Sequence, residues 1–179
     1  PSFFSYMSSI FSPAFAFYGL LFFAESLTMY VYWYSWDRMK TGRRKSIHAS
    51  LGIVLNVWGT VILLVTDSWA TFMMSPSGVD ATGALSAEAG GFWSAMQPAL
   101  WWPLNWHRLL GNAALGGAIV GAYGAFRFLG AKTAEERAHY DWMGYVGNFV
   151  ALLALIPLPF LGYVLAREGR EATQIGPLA

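Results

Sequence analysis

The chain has 179 residues, 56% of them hydrophobic and only 12% charged, with a formal net charge of +1. A charged share about half that of ordinary soluble domains excludes a water-soluble globular fold, and the near-neutral balance gives a nucleic-acid partner no support. The absence of Cys excludes disulfides, iron–sulfur clusters, thiolate haem ligation and covalent haem attachment through Cys-x-x-Cys-His.

Four apolar runs each supply the roughly 20 helical residues that cross a hydrocarbon core about 30 Å thick. The first covers residues 13–35 and holds one acid, Glu25. The second covers 47–69. A loop from about Thr71 to Gln97 follows, with turn formers at Ser75-Pro-Ser-Gly78 and Ala89-Gly-Gly91, and is expected to be an ordered excursion against a partner. The third run, 104–129, is rich in Gly and Ala, which allows close helix approach. Gly116, Gly117, Gly121 and Gly124 form a small-residue face expected to receive partner subunits. The fourth run, 142–166, carries Pro157 and Pro159 near its end, where a kink or unwinding is expected. The fold expected is an all-α integral membrane four-helix bundle in a single transmembrane domain.

The cations orient it. Arg38, Lys40, Arg43, Arg44 and Lys45 lie between the first two runs, and Arg127, Lys132 and Arg137 lie between the last two. The remaining cations are Arg108, Arg167 and Arg170. The positive-inside rule puts the two short basic loops in the cytoplasm and both termini on the non-cytoplasmic side. The expected location is the bacterial inner (cytoplasmic) membrane, multi-pass, with lipid around the helices.

In a bilayer the informative residues are polar ones. Glu25 sits about halfway along the first run, where an ionised carboxylate costs several kcal/mol. It is either a proton-relay group or a neutral acid hydrogen-bonded to a neighbouring helix. His107 lies in Trp101-Trp-Pro-Leu-Asn-Trp-His-Arg108. Neutral imidazole is a common axial ligand of a b-type haem, Trp101, Trp102 and Trp106 offer flat apolar surface, and Arg108 suits a propionate. An interfacial histidine that only makes a hydrogen bond is the other reading. His48 and His139 fall at the opposite helix ends, about 30 Å of helix rise from His107, and read as solvated interfacial residues or as a second haem site. Met73, Met74 and Met96 lie at about the depth of His107 and are candidates for a sixth ligand, as is Met7. Met is more often gap filler.

These residues resemble subunit I of the cytochrome bd quinol oxidases. Pro13 and Gly19-Leu-Leu-Phe-Phe-Ala-Glu-Ser26 are similar to the family's third helix, and Trp36-Asp-Arg38 to its Trp-Asp-Arg turn. Asn56, Ile62-Leu-Leu-Val-Thr-Asp-Ser-Trp69 and Ser75-Pro-Ser-Gly78 resemble the fourth helix and its end. Gln97-Pro98, His107 and Gly117-Ala118 follow the spacing of the fifth. The resemblance implies that His107 is an axial ligand of the low-spin haem b and that Glu25 is an acid near the high-spin haems, used in proton delivery. The family's first two helices, its later helices, the second low-spin ligand and the quinol loop have no counterpart, so the chain reads as the central four-helix slice of such a subunit.

The leading functional expectation is a non-catalytic, haem-b-binding electron-transfer subunit of a larger respiratory or photosynthetic membrane complex. Its cofactor-binding residues would be His107, Arg108, Trp106, Met73 and Met74, with Glu25 as proton relay and His107 on the metal. Its partners would be other membrane and redox subunits, with quinone or a cytochrome c as exchange partner. The alternatives are a piece of a split bd-type quinol oxidase whose oxygen chemistry lies on companion chains, and a haem-free structural membrane subunit.

Overall fold

The computed structural model describes residues 2–174. Helix α1 runs Ser2–Ser35 and closes in a 3-10 turn, Trp36–Arg38. Helices α2 (Gly42–Met74), α3 (Gly91–Met96), α4 (Trp101–Gly130), α5 (Ala134–Leu155) and α6 (Leu158–Gln174) follow. Among the described residues the only strand-like feature is an isolated bridge between Val79 and Leu85. Four segments are long and apolar enough to cross a membrane: Ser2–Arg38, Gly42–Met74, Gly91–Gly130 and Ala134–Ala172. The 34 residues of α1 rise roughly 50 Å. That exceeds a hydrocarbon core, so the surplus stands in the interfacial layers or is absorbed by tilt. Pro13 therefore lies inside α1 rather than at its start.

The described residues fall into two compact units, divided between Trp101 and Trp102. In the first, α1 and α2 form an antiparallel hairpin whose register can be followed pair by pair. Phe11 meets Phe72 edge-on at 5.2 Å, and Phe15 meets Trp69 at 5.0 Å. Further along, Glu25 lies against Gly59 and Tyr32 against Gly52. At the turn, Trp36 meets His48. The partners step seven residues at a time on both helices between the Glu25 and Tyr32 pairs, two helical turns, so one face of each helix carries the whole seam. Aromatic contacts of this kind are worth about 0.5–1.5 kcal/mol each beyond the area they cover.

The long loop after α2 folds back on this hairpin. Ala95 is fully buried beside Met7, Ile10, Phe11 and Phe72, with Val79, Phe92 and Met96 packed around them. Ser77 Oγ donates to the Ser94 carbonyl at 2.6 Å. Gly78, at φ 75°, lets the chain pass so close to α3 that a Cβ there would stand 2.7 Å from the Ala95 nitrogen. The loop is ordered, as expected, but its buried side is held by its own unit rather than kept for a partner.

In the second unit α4 and α5 touch backbone to backbone. A Cβ on Gly117 would lie 2.6 Å from the Ala151 nitrogen and 2.7 Å from the Gly147 carbonyl oxygen, and one on Gly124 would lie 2.8 Å from the Gly144 nitrogen. Gly121 faces Gly147 and Asn148. Three of the four glycines expected to serve partner subunits are thus occupied inside this hairpin, and Gly116 alone of that set faces open space. Without a hydrophobic drive between helices in lipid, close approach of this kind is what van der Waals packing requires. Helix α5 starts in a capping box, Glu136 N to Thr133 Oγ1 at 3.1 Å and Thr133 N to Glu136 Oε2 at 3.3 Å, which satisfies two otherwise orphaned donors. It ends at Leu155, and Pro157 separates it from α6 as its missing N–H dictates.

Candidate functional site

His107 is in the second turn of α4, which Trp101 begins. Its ring lies against the backbone of Gly162 in α6, whose absent Cβ would stand 3.2 Å from Cε1 and 3.5 Å from Nδ1. Nδ1 is buried and has no hydrogen-bond partner among the described residues. Trp102 and Trp106 remain more than half exposed and offer flat apolar surface on the same helix end, and Arg108 is also exposed. Trp101 has a different use: it is buried in the first unit, with Nε1 donating to the Leu64 carbonyl at 3.0 Å.

Met73 and Met74 close α2 in the first unit, and both are half-exposed. Met7 and Met96 are packed into that unit's core, as gap-filling methionines are. No group of three or more His, Asp or Glu side chains converges among the described residues.

Glu25 is half-buried in the α1–α2 seam, with Oε1 above Gly59 at a distance that would leave a Cβ only 3.2 Å away. No hydrogen bond or ion pair reaches it among the described residues.

Sequence reasoning missed two features. His48 is only 9% exposed, not solvated: it stacks on Tyr32 at 4.3 Å, meets Trp36 edge-on at 5.1 Å, and places Nδ1 3.1 Å from Ser35 Oγ. His139, in contrast, is exposed beside Tyr140. The second missed feature is a buried polar set late in α2, Asp67, Ser68 and Thr71, each at most 1% exposed. Thr71 Oγ1 donates to the Asp67 carbonyl at 2.6 Å. The i, i+1, i+4 spacing was the available signal, because it puts all three on one helical face.

The family model of cytochrome bd terminal oxidase subunit I matches residues 1–174, nearly the whole chain. No curated protein and no solved structure matches it.

Proposed function

The chain belongs to the cytochrome bd terminal oxidase subunit I family, and from that premise we propose that it is a haem-b-binding electron-transfer subunit of a larger respiratory or photosynthetic membrane complex. The observation that carries this reading is His107, an imidazole with a buried, unpartnered nitrogen set in a cradle that a side chain at position 162 would fill. An orphaned polar atom of that kind costs free energy unless something uses the ring, so the residues present fit a haem ligand.

His107 would ligate the iron, Trp106 would lie beside the macrocycle, and Arg108 would pair with a propionate. A residue of a partner chain would complete the coordination. The group supplies a one-electron carrier cycling between ferric and ferrous iron. The protein's part is to hold the imidazole in one orientation, to keep water from the apolar faces and to offset propionate charge. Glu25 is assigned to proton movement along the α1–α2 seam, since among the described residues no hydrogen bond or ion pair accounts for a carboxyl group there.

The wider reading places both termini on the non-cytoplasmic side of the bacterial inner membrane, in one transmembrane domain. Other membrane and redox subunits surround it there, and quinone or a cytochrome c is the exchange partner. Membership of an oxidase family favours one alternative, a piece of a split bd-type quinol oxidase whose oxygen chemistry is on companion chains. The deciding experiment is a reduced-minus-oxidised spectrum with pyridine haemochrome quantification on the complex and on its His107→Ala variant. Loss of one b-type haem supports the proposal. A full complement with an unchanged spectrum refutes it and leaves a structural role, and oxygen consumption with quinol separates the oxidase piece.

A further inference from the structure

The turn between α1 and α2 concentrates positive charge, with Arg38, Lys40, Arg43, Arg44 and Lys45 set against one acid, Asp37. Thr41 occupies the N-cap of α2 but makes no side-chain cap, and the first turn holds no acidic residue. It holds Arg43, Arg44 and Lys45 instead. Helix N-termini carry partial positive charge and unsatisfied N–H groups, so cations there are unfavourable and anions favourable. None of the three has an acidic partner among the described residues. The nearby acid, Asp37, is bound outward to Lys40 at 2.6 Å.

One turn further along α2 stands His48. It lines a pocket of about 220 Å³ together with Trp36, Met39, Lys40 and Lys45. It is nine-tenths buried, and its Nε2 has no hydrogen-bond partner among the described residues. The other ring nitrogen is accounted for, because Nδ1 sits at Ser35 Oγ, which in turn lies 3.2 Å from the Tyr32 carbonyl. With the ring fixed by Tyr32, Trp36 and Ser35, Nε2 is a buried polar atom of this cage left without a hydrogen bond among the described residues.

We propose that the pocket lined by Trp36, Met39, Lys40, Lys45 and His48 is an anion site that takes a phosphate group, carried by an anionic phospholipid headgroup. The phosphate oxygens would meet the Lys45 ammonium and, through a hydrogen on Nε2, the imidazole, and would share the Lys40 ammonium with Asp37. Ser35 Oγ then donates to Nδ1 in place of the Tyr32 carbonyl. The unbalanced first turn of α2 adds its N–H groups and dipole. Trp36 and Met39 supply the apolar wall against which the glycerol and upper acyl chain can rest. The position is suited to a lipid because the pocket lies where two membrane-spanning helices meet in a basic turn, the kind of juxtamembrane cluster that attracts anionic headgroups.

The test is native mass spectrometry of the detergent-solubilised full chain titrated with phosphatidylglycerol, phosphatidylcholine or inorganic phosphate. Phosphatidylglycerol should bind one-to-one in preference to phosphatidylcholine, and Lys45→Gln, an exposed site, should weaken it roughly fivefold, the effect of one basic residue near a headgroup. His48→Phe keeps the ring stack while removing Nε2, and it should weaken phosphatidylglycerol to at least the same degree. Displacement of phosphatidylglycerol by inorganic phosphate at comparable concentration supports the phosphate chemistry and assigns the site to a soluble source. Equal binding of the two lipids, or unchanged phosphatidylglycerol affinity in both variants, overturns the proposal.

Discussion

Gly162 stands beneath the imidazole of His107, with a hypothetical Cβ 3.2 Å from Cε1. That separation is tight without being prohibitive, so a methyl group would tilt the ring rather than expel it. If the ring ligates haem, Gly162→Ala should keep the haem but shift its midpoint potential and α-band, because the orientation of the axial ligand tunes the iron. Gly162→Leu should lose the haem. A redox titration in which Gly162→Ala matches the parent would show that α6 does not set the ligand's orientation.

The α4–α5 contact gives a sharper steric prediction. Gly117 meets backbone atoms of α5 at 2.6–2.7 Å from a would-be Cβ, whereas Gly116, next in the chain, meets nothing within 4 Å. Overpacking a tight core costs about 1–3 kcal/mol, and here the obstacle is backbone, which yields less readily than side chain. Gly117→Leu should therefore unfold at clearly lower denaturing-detergent fraction, and Gly116→Leu should track the parent. Equal loss in both would mean that α4 and α5 do not meet along this face.

Outside the membrane-spanning segments, the turn at Asp80 predicts a pH response. Its Oδ1 accepts from Thr82 Oγ1 at 2.6 Å, Thr82 N at 2.8 Å and Ala84 N at 3.2 Å. The Thr82 hydroxyl, and then the backbone donors, hold the carboxyl below the usual carboxylate range. A depressed folded value means the turn's contribution is complete above the ordinary Asp value and is lost as pH falls through the lowered one. The amide resonances of Thr82 and Ala84 should titrate with a midpoint below that of a free Asp, and Asp80→Asn should remove the transition. A midpoint at the ordinary value would show the turn is open.

The four spans were legible because length and apolarity alone define them, and the break at Pro157 because proline lacks a donor. The glycines of α4 were legible as a contact face, but a row of small residues does not say which helix it receives. α5 answers with Gly144, Gly147 and Ala151. The burial of His48 was hidden for a related reason. A histidine near a basic helix end reads as interfacial, and only the register of the α1–α2 hairpin brings Tyr32, Ser35 and Trp36 around it. Asp67 falls two residues before the end of the second apolar run, whereas α2 continues to Met74 and keeps that acid wholly buried.

Glu25 supplies the prediction that bears most directly on mechanism. Its carboxyl lies in the seam above Gly59, without a hydrogen bond or ion pair among the described residues. An ionised group at such depth costs several kcal/mol, so a purely structural acid would be better replaced by an apolar side chain. Glu25→Leu should accordingly insert more favourably, by about 3–4 kcal/mol on insertion scales. If Glu25 moves protons, the same replacement slows electron transfer wherever that step is proton-coupled, and so does the shape-conserving Glu25→Gln. The direct readout is reduced-minus-oxidised infrared difference spectroscopy of the complex. A carboxylic C=O band should respond to reduction in the parent and be missing in Glu25→Gln. Turnover in that variant should fall by on the order of tenfold or more, the lower range of what positioned proton transfer contributes. Gly59→Ala, which presses a methyl towards Oε1, should shift the band without removing it. A spectrum and a turnover in Glu25→Gln identical to the parent would assign the acid to packing and leave proton delivery to another path.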